Sequence, residues 1–258
     1  MSRDPCRPQA MTLQSLSVGM EAGRRGFDTT RWSLVLAVGD DHSSVARQAL
    51  SELCETYWFP LYAYARRQGV AAEDAQDLIQ SFFLLLLQRG DLGAVRPERG
   101  RFRSFLLASL RHFMAKRRTH ERALKRGGGV IPVSLDAVHA EKRYLREPAD
   151  RLTPEAIYDR IWAVTLLNQV LERLGSEWEA RGKRQEFDKL KACLMGDLPA
   201  EGYKEVARNL STTEAAAKMA VQRLKRRFAQ ELRAAIADTV TDDAVDDELR
   251  FLLSALQP

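Results

Sequence analysis

Cysteine is scarce in this chain of 258 residues: Cys6, Cys54 and Cys193 are the whole complement, odd in number and far apart. That excludes the disulfide framework of a small secreted domain, and no Cys or His spacing suits a zinc site. Cys54 and Cys193 lie among apolar helical neighbours and are expected to pack as small hydrophobes. Long apolar runs are missing too. The longest, Phe82–Leu87, is far short of a membrane span. The first 25 residues have no apolar core of a secretion signal. No stretch alternates apolar and polar residues as a half-buried strand would. Gly127-Gly128-Gly129 lacks the Gly-Lys-Ser/Thr that completes a phosphate loop, so it reads as a helix stop. No triad spacing or metal cluster is visible. The expectation is an all-α, cytoplasmic protein without membrane span, cofactor or catalytic activity.

What is present is charge, and it is segregated. Lys and Arg number 40 against 35 Asp and Glu, a formal net charge of +5 with an isoelectric point near 9.2. Residues 96–126 hold 11 Lys or Arg against Glu98 and Glu121, a local net of +9. Residues 241–258 hold 5 Asp or Glu against Arg250, a local net of −4. A basic segment of that density favours an anionic partner.

Helical spacing of apolar residues organises the rest. Residues 1–26 are polar and aperiodic and read as a disordered leader. A helix capped by Thr29 or Thr30 is expected to run to Val38. A second, Ser43–Gln68, carries Tyr57, Leu61, Tyr64 and Ala65 on one face; Pro60 should start a turn or kink it, and Gly69 should end it. Ala72–Gln88 has Glu73, Asp74 and Asp77 in its first turns, where acids suit the helix dipole. Phe102–Leu124 is a basic amphipathic helix, with Phe105, Leu106, Leu110 and Phe113 on its apolar side. A helical turn or two is expected within 137–145. Thr153-Pro154 offers a capping hydroxyl and a Pro in the first helical position. Helices are then expected at 154–174, 186–195, 202–208 and 213–237. An acidic helix should follow at 240–254, with Val245, Leu249, Leu252 and Leu253 as its stripe. This gives two helical domains, 27–126 and 154–240, with a linker at 127–153 and an acidic helix at 241–258.

Two blocks carry the functional signal. In the second, Val206, Ala207 and Leu210 form the apolar face of a short helix. A turn spans Asn209–Thr212, and Thr213 caps a helix whose buried side is Ala216, Ala217, Ala220, Val221 and Leu224. The outer side presents short and polar residues first and cations further on, as a helix in a major groove requires. A capping box from Ser211 to Glu214 would start the same helix one register earlier. In the first block, Asp74–Phe83 mixes acids with apolar residues, and the run Arg99–Arg118 interleaves cations with aromatics. That mixture suits a single strand, whose phosphates need cations and whose bases need stacking partners.

Both blocks, in this order, resemble a bacterial RNA polymerase sigma factor of the extracytoplasmic-function type, within the sigma-70 family. The resemblance spans roughly Thr30 to Val240. It includes Arg31-Trp-Ser-Leu-Val35 and Gly100-Arg-Phe-Arg-Ser-Phe-Leu106. It departs at Ser211, where relatives usually carry Gly, and at Leu86-Leu87, where many place Trp or Tyr. No segment between the blocks is large enough for the extra region of housekeeping sigmas. The resemblance implies that Asp77, Leu78, Gln80 and Phe83 grip the β′ coiled coil of core RNA polymerase. It implies that Arg101, Phe102, Arg103, Arg111, His112, Lys116 and Arg117 open and read the −10 element, with a flipped base held by the loop 95–101. It implies that Thr213, Glu214, Ala215, Lys218, Gln222, Arg223 and Arg226 read or grip the −35 element. Lys225 and Arg227 join the candidates for phosphate or β flap contact. Promoter DNA and core polymerase are the implied partners, with an anti-sigma factor as a possible third.

The residues alone leave other readings open. A conventional helix-turn-helix repressor or activator would bind duplex DNA through 154–240 and needs no polymerase-binding helix. An enzyme with a basic groove would need paired carboxylates, and Asp242, Asp243, Asp246 and Asp247 read as a solvated helical face. The acidic tail has two readings. It folds back over a DNA-binding surface and lowers activity, or it completes the core of the C-terminal domain.

Overall fold

A computed structural model describes residues 44–88, 101–124, 135–144, 152–195, 202–237 and 239–257. The expected leader, the helix ending at Val38, the Arg31–Val35 motif, the loop 95–100 and Gly127–Gly129 lie outside them. Every regular element among the described residues is helical: α1 Ser44–Arg67, α2 Ala72–Gln88, α3 Phe102–Leu124, α4 Leu135–Tyr144, α5 Pro154–Ala180, α6 Arg184–Leu190, α7 Tyr203–Asn209, α8 Glu214–Ala237 and α9 Val245–Ala255. Short 3-10 turns follow α6 at Lys191–Met195 and precede α9 at Asp242–Ala244. No helix among the described residues is long and apolar enough to cross a membrane.

The chain divides into two compact units, though not at the expected linker. The smaller comprises Gly175–Arg227, and the larger takes the described residues up to Leu174 together with those from Phe228 onward. The segment read as a linker contains α4, which packs on α2 within the larger unit. The part of α5 up to Leu174 and the acidic tail also belong to the larger unit.

Burial explains why these helices form. On α2, Ala75, Leu78, Ile79, Phe82, Phe83 and Leu86 are all buried and share one face by their three- and four-residue spacing. Large apolar side chains stabilise by roughly 1.5–3 kcal/mol each when buried, more than helix propensity supplies. The same term carries α1 unbroken through Pro60. Buried Tyr57, Leu61, Tyr62 and Tyr64 flank that residue and outweigh the roughly 3 kcal/mol of a mid-helix proline. α1 ends at Gly69, whose φ of 85° lets the N–H of Val70 reach the carbonyl of Ala65 at 3.2 Å. α5 starts where its cap predicts, the Thr153 hydroxyl accepting the Ala156 N–H at 3.1 Å. It runs past Leu174 to Ala180, and Gly182 in the turn after it has φ 70°.

Polar contacts pin α4 and α5 to α1. Arg66 donates to both Glu141 oxygens, at 2.8 and 2.7 Å, and the Tyr62 hydroxyl donates to Glu141 at 2.6 Å. Arg143 lies over the Phe59 ring at 4.0 Å. Gln169 on α5 donates to Thr56 on α1 at 3.0 Å. The paired Arg66 guanidinium holds the Glu141 carboxyl below its ordinary value of 4.5, against an opposing desolvation. A depressed carboxylate stabilises the fold above its unfolded pKa and loses that contribution as pH falls through its folded value. Glu141→Gln is therefore expected to lower the melting temperature by roughly 2–4 °C at neutral pH. The gap to the parent protein should close as the pH drops below 4.5. Equal melting curves at pH 7 would remove this pair from the account.

Candidate nucleic-acid interface

In the smaller unit, α7 and α8 form a helix-turn-helix. Phe187, Leu190 and Cys193 from α6 and the turn after it are buried, as are Val206 and Ala207 on α7. Ala217, Ala220, Val221 and Leu224 supply the buried side of α8, while Ala216 is exposed. Trp178 meets Phe187 at 6.0 Å between ring centroids. Lys189 on α6 donates to the Asn209 carbonyl at 2.7 Å, closing the end of α7.

The start of α8 is set by Thr213, not Ser211. The Thr213 hydroxyl accepts the Ala216 N–H at 3.2 Å, and its carbonyl accepts the Ala217 N–H at 2.9 Å. Ser211 does something else. Its φ is 52°, the only positive value at a non-glycine residue among those described. Its N–H reaches Arg208 at 3.1 Å, and the Thr212 N–H reaches back to Ala207 at 3.0 Å. This is the two-bond, left-handed helix end that Gly69 and Gly182 make after α1 and α5. A serine thus stands in the glycine role, in a conformation that crowds its Cβ against the backbone.

All seven expected −35 residues are exposed: Thr213, Glu214, Ala215, Lys218, Gln222, Arg223 and Arg226. Met219, which sequence reasoning passed over, stands 54% exposed among them. Beside this face lies a cleft of about 840 Å³ whose lining includes Lys183, Lys189, Ser211, Thr212 and Arg223. Arg227 is engaged by Glu177 at 3.1 Å, which gives it a structural partner within the unit.

The larger unit treats its candidates differently. On α2, Leu78 and Phe83 belong to the core, whereas Asp77 is half-buried and Gln80 exposed. Ser81 is also exposed, and Leu84 is 57% exposed. Asp77, Gln80 and Leu84 follow one another by three and four residues, so they line one outward face. Leu84 was missed because it sits in an apolar run that reads as core.

On α3, Arg111, His112 and Lys116 are exposed and Arg117 is half-buried. Arg111 lies 3.8 Å from Glu155, a loose surface pair. The start of α3 departs from expectation. Phe102, expected to stack on a base, is 1% exposed and meets Tyr57 edge-on at 5.3 Å. Arg103 is 6% exposed. Its Nε donates to Glu248 at 2.6 Å and its Nη1 to Asp159 at 2.5 Å. The Phe251 ring covers its guanidinium at 3.7 Å, with Trp162 at 5.1 Å. Arg101 reaches the other Glu248 oxygen at 2.8 Å, an ion contact in which that oxygen has no hydrogen bond. Burial pushes the Asp159 carboxyl above its ordinary value, outweighing the attraction of Arg103. Asp159, Glu248 and Phe251 were not foreseen. The one sequence signal was an acid at 248, three residues after Val245 and four before Leu252, inside the apolar stripe. Leu253, expected in that stripe, is 57% exposed instead.

Ser211→Gly is expected to stabilise the protein by about 0.5–1 kcal/mol, by relieving the left-handed strain. Thr213→Ala should cost about 1 kcal/mol through loss of the cap. Chemical denaturation measures both, and a destabilised Ser211→Gly protein would contradict the strain argument.

No protein-family model, curated protein or solved structure matches this chain, so the functional reading rests on its motifs and on this geometry.

Proposed function

We propose that this chain is a sigma factor of the extracytoplasmic-function type: a cytoplasmic, non-catalytic subunit that binds core RNA polymerase and directs it to promoters. The observation that carries the reading is a pair of outward faces with different chemistry. The face of α8 is polar, then cationic, behind a capped turn, which suits duplex DNA read in the major groove. The face of α2 is Asp77, Gln80 and Leu84, a solvent-facing leucine among polar groups, which suits a protein partner rather than DNA. A carboxylate there would repel phosphate. Between them in sequence, Arg111, His112 and Lys116 on α3 offer donors for a DNA strand.

A conventional helix-turn-helix regulator is the second reading. What favours it is the burial of Phe102 and Arg103, which withdraws part of the expected −10 surface from solvent. The two readings differ in whether core polymerase is bound.

The test is co-elution with bacterial core polymerase in size exclusion, using the parent protein and Leu84→Arg. Leu84 is 57% exposed, so the substitution should leave the melting temperature within a degree or two. The parent protein is expected to co-elute, and Leu84→Arg to lose roughly tenfold or more in affinity, as an interface centre would. A parent protein that ignores polymerase at micromolar concentration yet binds duplex DNA would replace this reading with the second.

A further inference from the structure

The tail supplies α3 with both halves of a nucleotide contact. Glu248 places a carboxylate between Arg101 and Arg103, where a phosphate would sit. Three residues on, Phe251 lays an aromatic ring over Arg103 at 3.7 Å and over Arg101 at 5.6 Å, where a base would stack. We propose that α9 is a built-in mimic of single-stranded DNA, occupying the Arg101–Arg103 site in cis, and that it must leave before that site binds a strand. The proposal rests on the reading of Arg101–Arg117 as a strand-binding stretch.

Three features of the contact argue for occupancy rather than mere packing. Val245, Glu248 and Leu252 form the buried face of α9, so a carboxylate sits at the centre of an apolar seam. An apolar residue there would seal the seam without the cost of desolvating a charge. The carboxylate is instead specific for the two arginines. Next, those arginines lie at the N-terminal end of α3, where a helix repels cations and attracts anions. Last, an ion pair at the rim of the seam lies on the surface. Arg233 meets Asp246 at 2.5 Å on the surface, and Arg160 reaches the carbonyls of Leu256 and Gln257 at 3.4 Å each. On α9 itself, the side chains of Val245 and Leu252 supply the apolar anchor.

Asp159 would remain beside Arg103 after α9 departs, so Arg101 should carry most of the uncovered binding. Phe251→Ala and the double variant Glu248→Gln/Phe251→Ala weaken the mimic without deleting the helix. The probe is a fluorescein-labelled single-stranded oligonucleotide of mixed sequence, read by anisotropy over a series of salt concentrations. The double variant is expected to bind about tenfold more tightly. Its slope of log affinity against log salt should steepen by about 0.7, the counterion release of one further phosphate contact. Adding Arg101→Gln should abolish most of that gain. A gain that survives Arg101→Gln, or no gain in a folded variant, overturns the proposal. Hydrogen exchange on the unmodified protein covers a variant that fails to fold. Saturating oligonucleotide should speed exchange across 245–255 while α1 and α2 stay protected; unchanged or slowed exchange there overturns it equally. Core polymerase binding, measured on the same samples, reports separately on the sigma reading. A tail effect without polymerase binding sinks that reading alone.

Discussion

A guanidinium that is 6% exposed must be neutralised where it lies, and Arg103 imposes that requirement on the larger unit. One carboxylate comes from 56 residues further along and the other from 145 residues further along. Asp159 ties the first half of α5 to α3, and Glu248 ties α9 to it. Tyr158 adds a hydrogen bond to the Arg103 carbonyl at 2.9 Å, so the backbone at this point is held as firmly as the side chain. The part of α5 up to Leu174 and the tail belong to the larger unit, where their acids meet a buried charge in α3. Removing Asp159 would leave Arg101 and Arg103 sharing the one Glu248 carboxylate, a charge imbalance in a buried place.

The helices themselves were legible in the sequence. Periodicity placed α2 and α3 to the residue because each has one clean apolar face. Caps placed the starts of α5 and α8 because a hydroxyl before an apolar run has a local reason to be there. The site was legible only where it is local. The outward residues of α8 follow from helical geometry once Thr213 is its cap. Arg101, Phe102 and Arg103 failed because their environment is built by segments far along the chain. Arginine reads as surface by default, and an aromatic at a loop–helix junction reads as available. Nothing local distinguishes an Arg that waits for a phosphate from one that already holds a carboxylate. Glu248 carried the missing information, as a lone acid inside an apolar stripe, and its partners could not be named without the fold.

Ser211 shows the opposite case, a departure with a purely local explanation. Three helix ends in the described residues use the same pair of backbone bonds, and two of them use glycine. The third pays with strain for a side chain that glycine lacks. Ser211 lines the cleft together with Lys183, Lys189 and Arg223 and with Glu179 and Glu186.

The reach of the tail follows from length and screening. Arg103 and Arg111 are eight residues apart on one helix, about 12 Å along its axis at 1.5 Å per residue. The screening length at physiological salt is about 8 Å. A carboxylate at Arg103 therefore does little to the field at Arg111, His112 and Lys116, which stay exposed. The tail closes one end of α3 and leaves the other open. A strand engaging the open end first would hold its next phosphates close to the closed end at high effective concentration. It would then compete with Glu248 as one intramolecular group against another. Such a competition is decided by contact geometry at Arg101 and Arg103 rather than by the net charge of the protein. The same acids placed anywhere else on the surface would lower affinity for all strands alike and could not be displaced by any one of them.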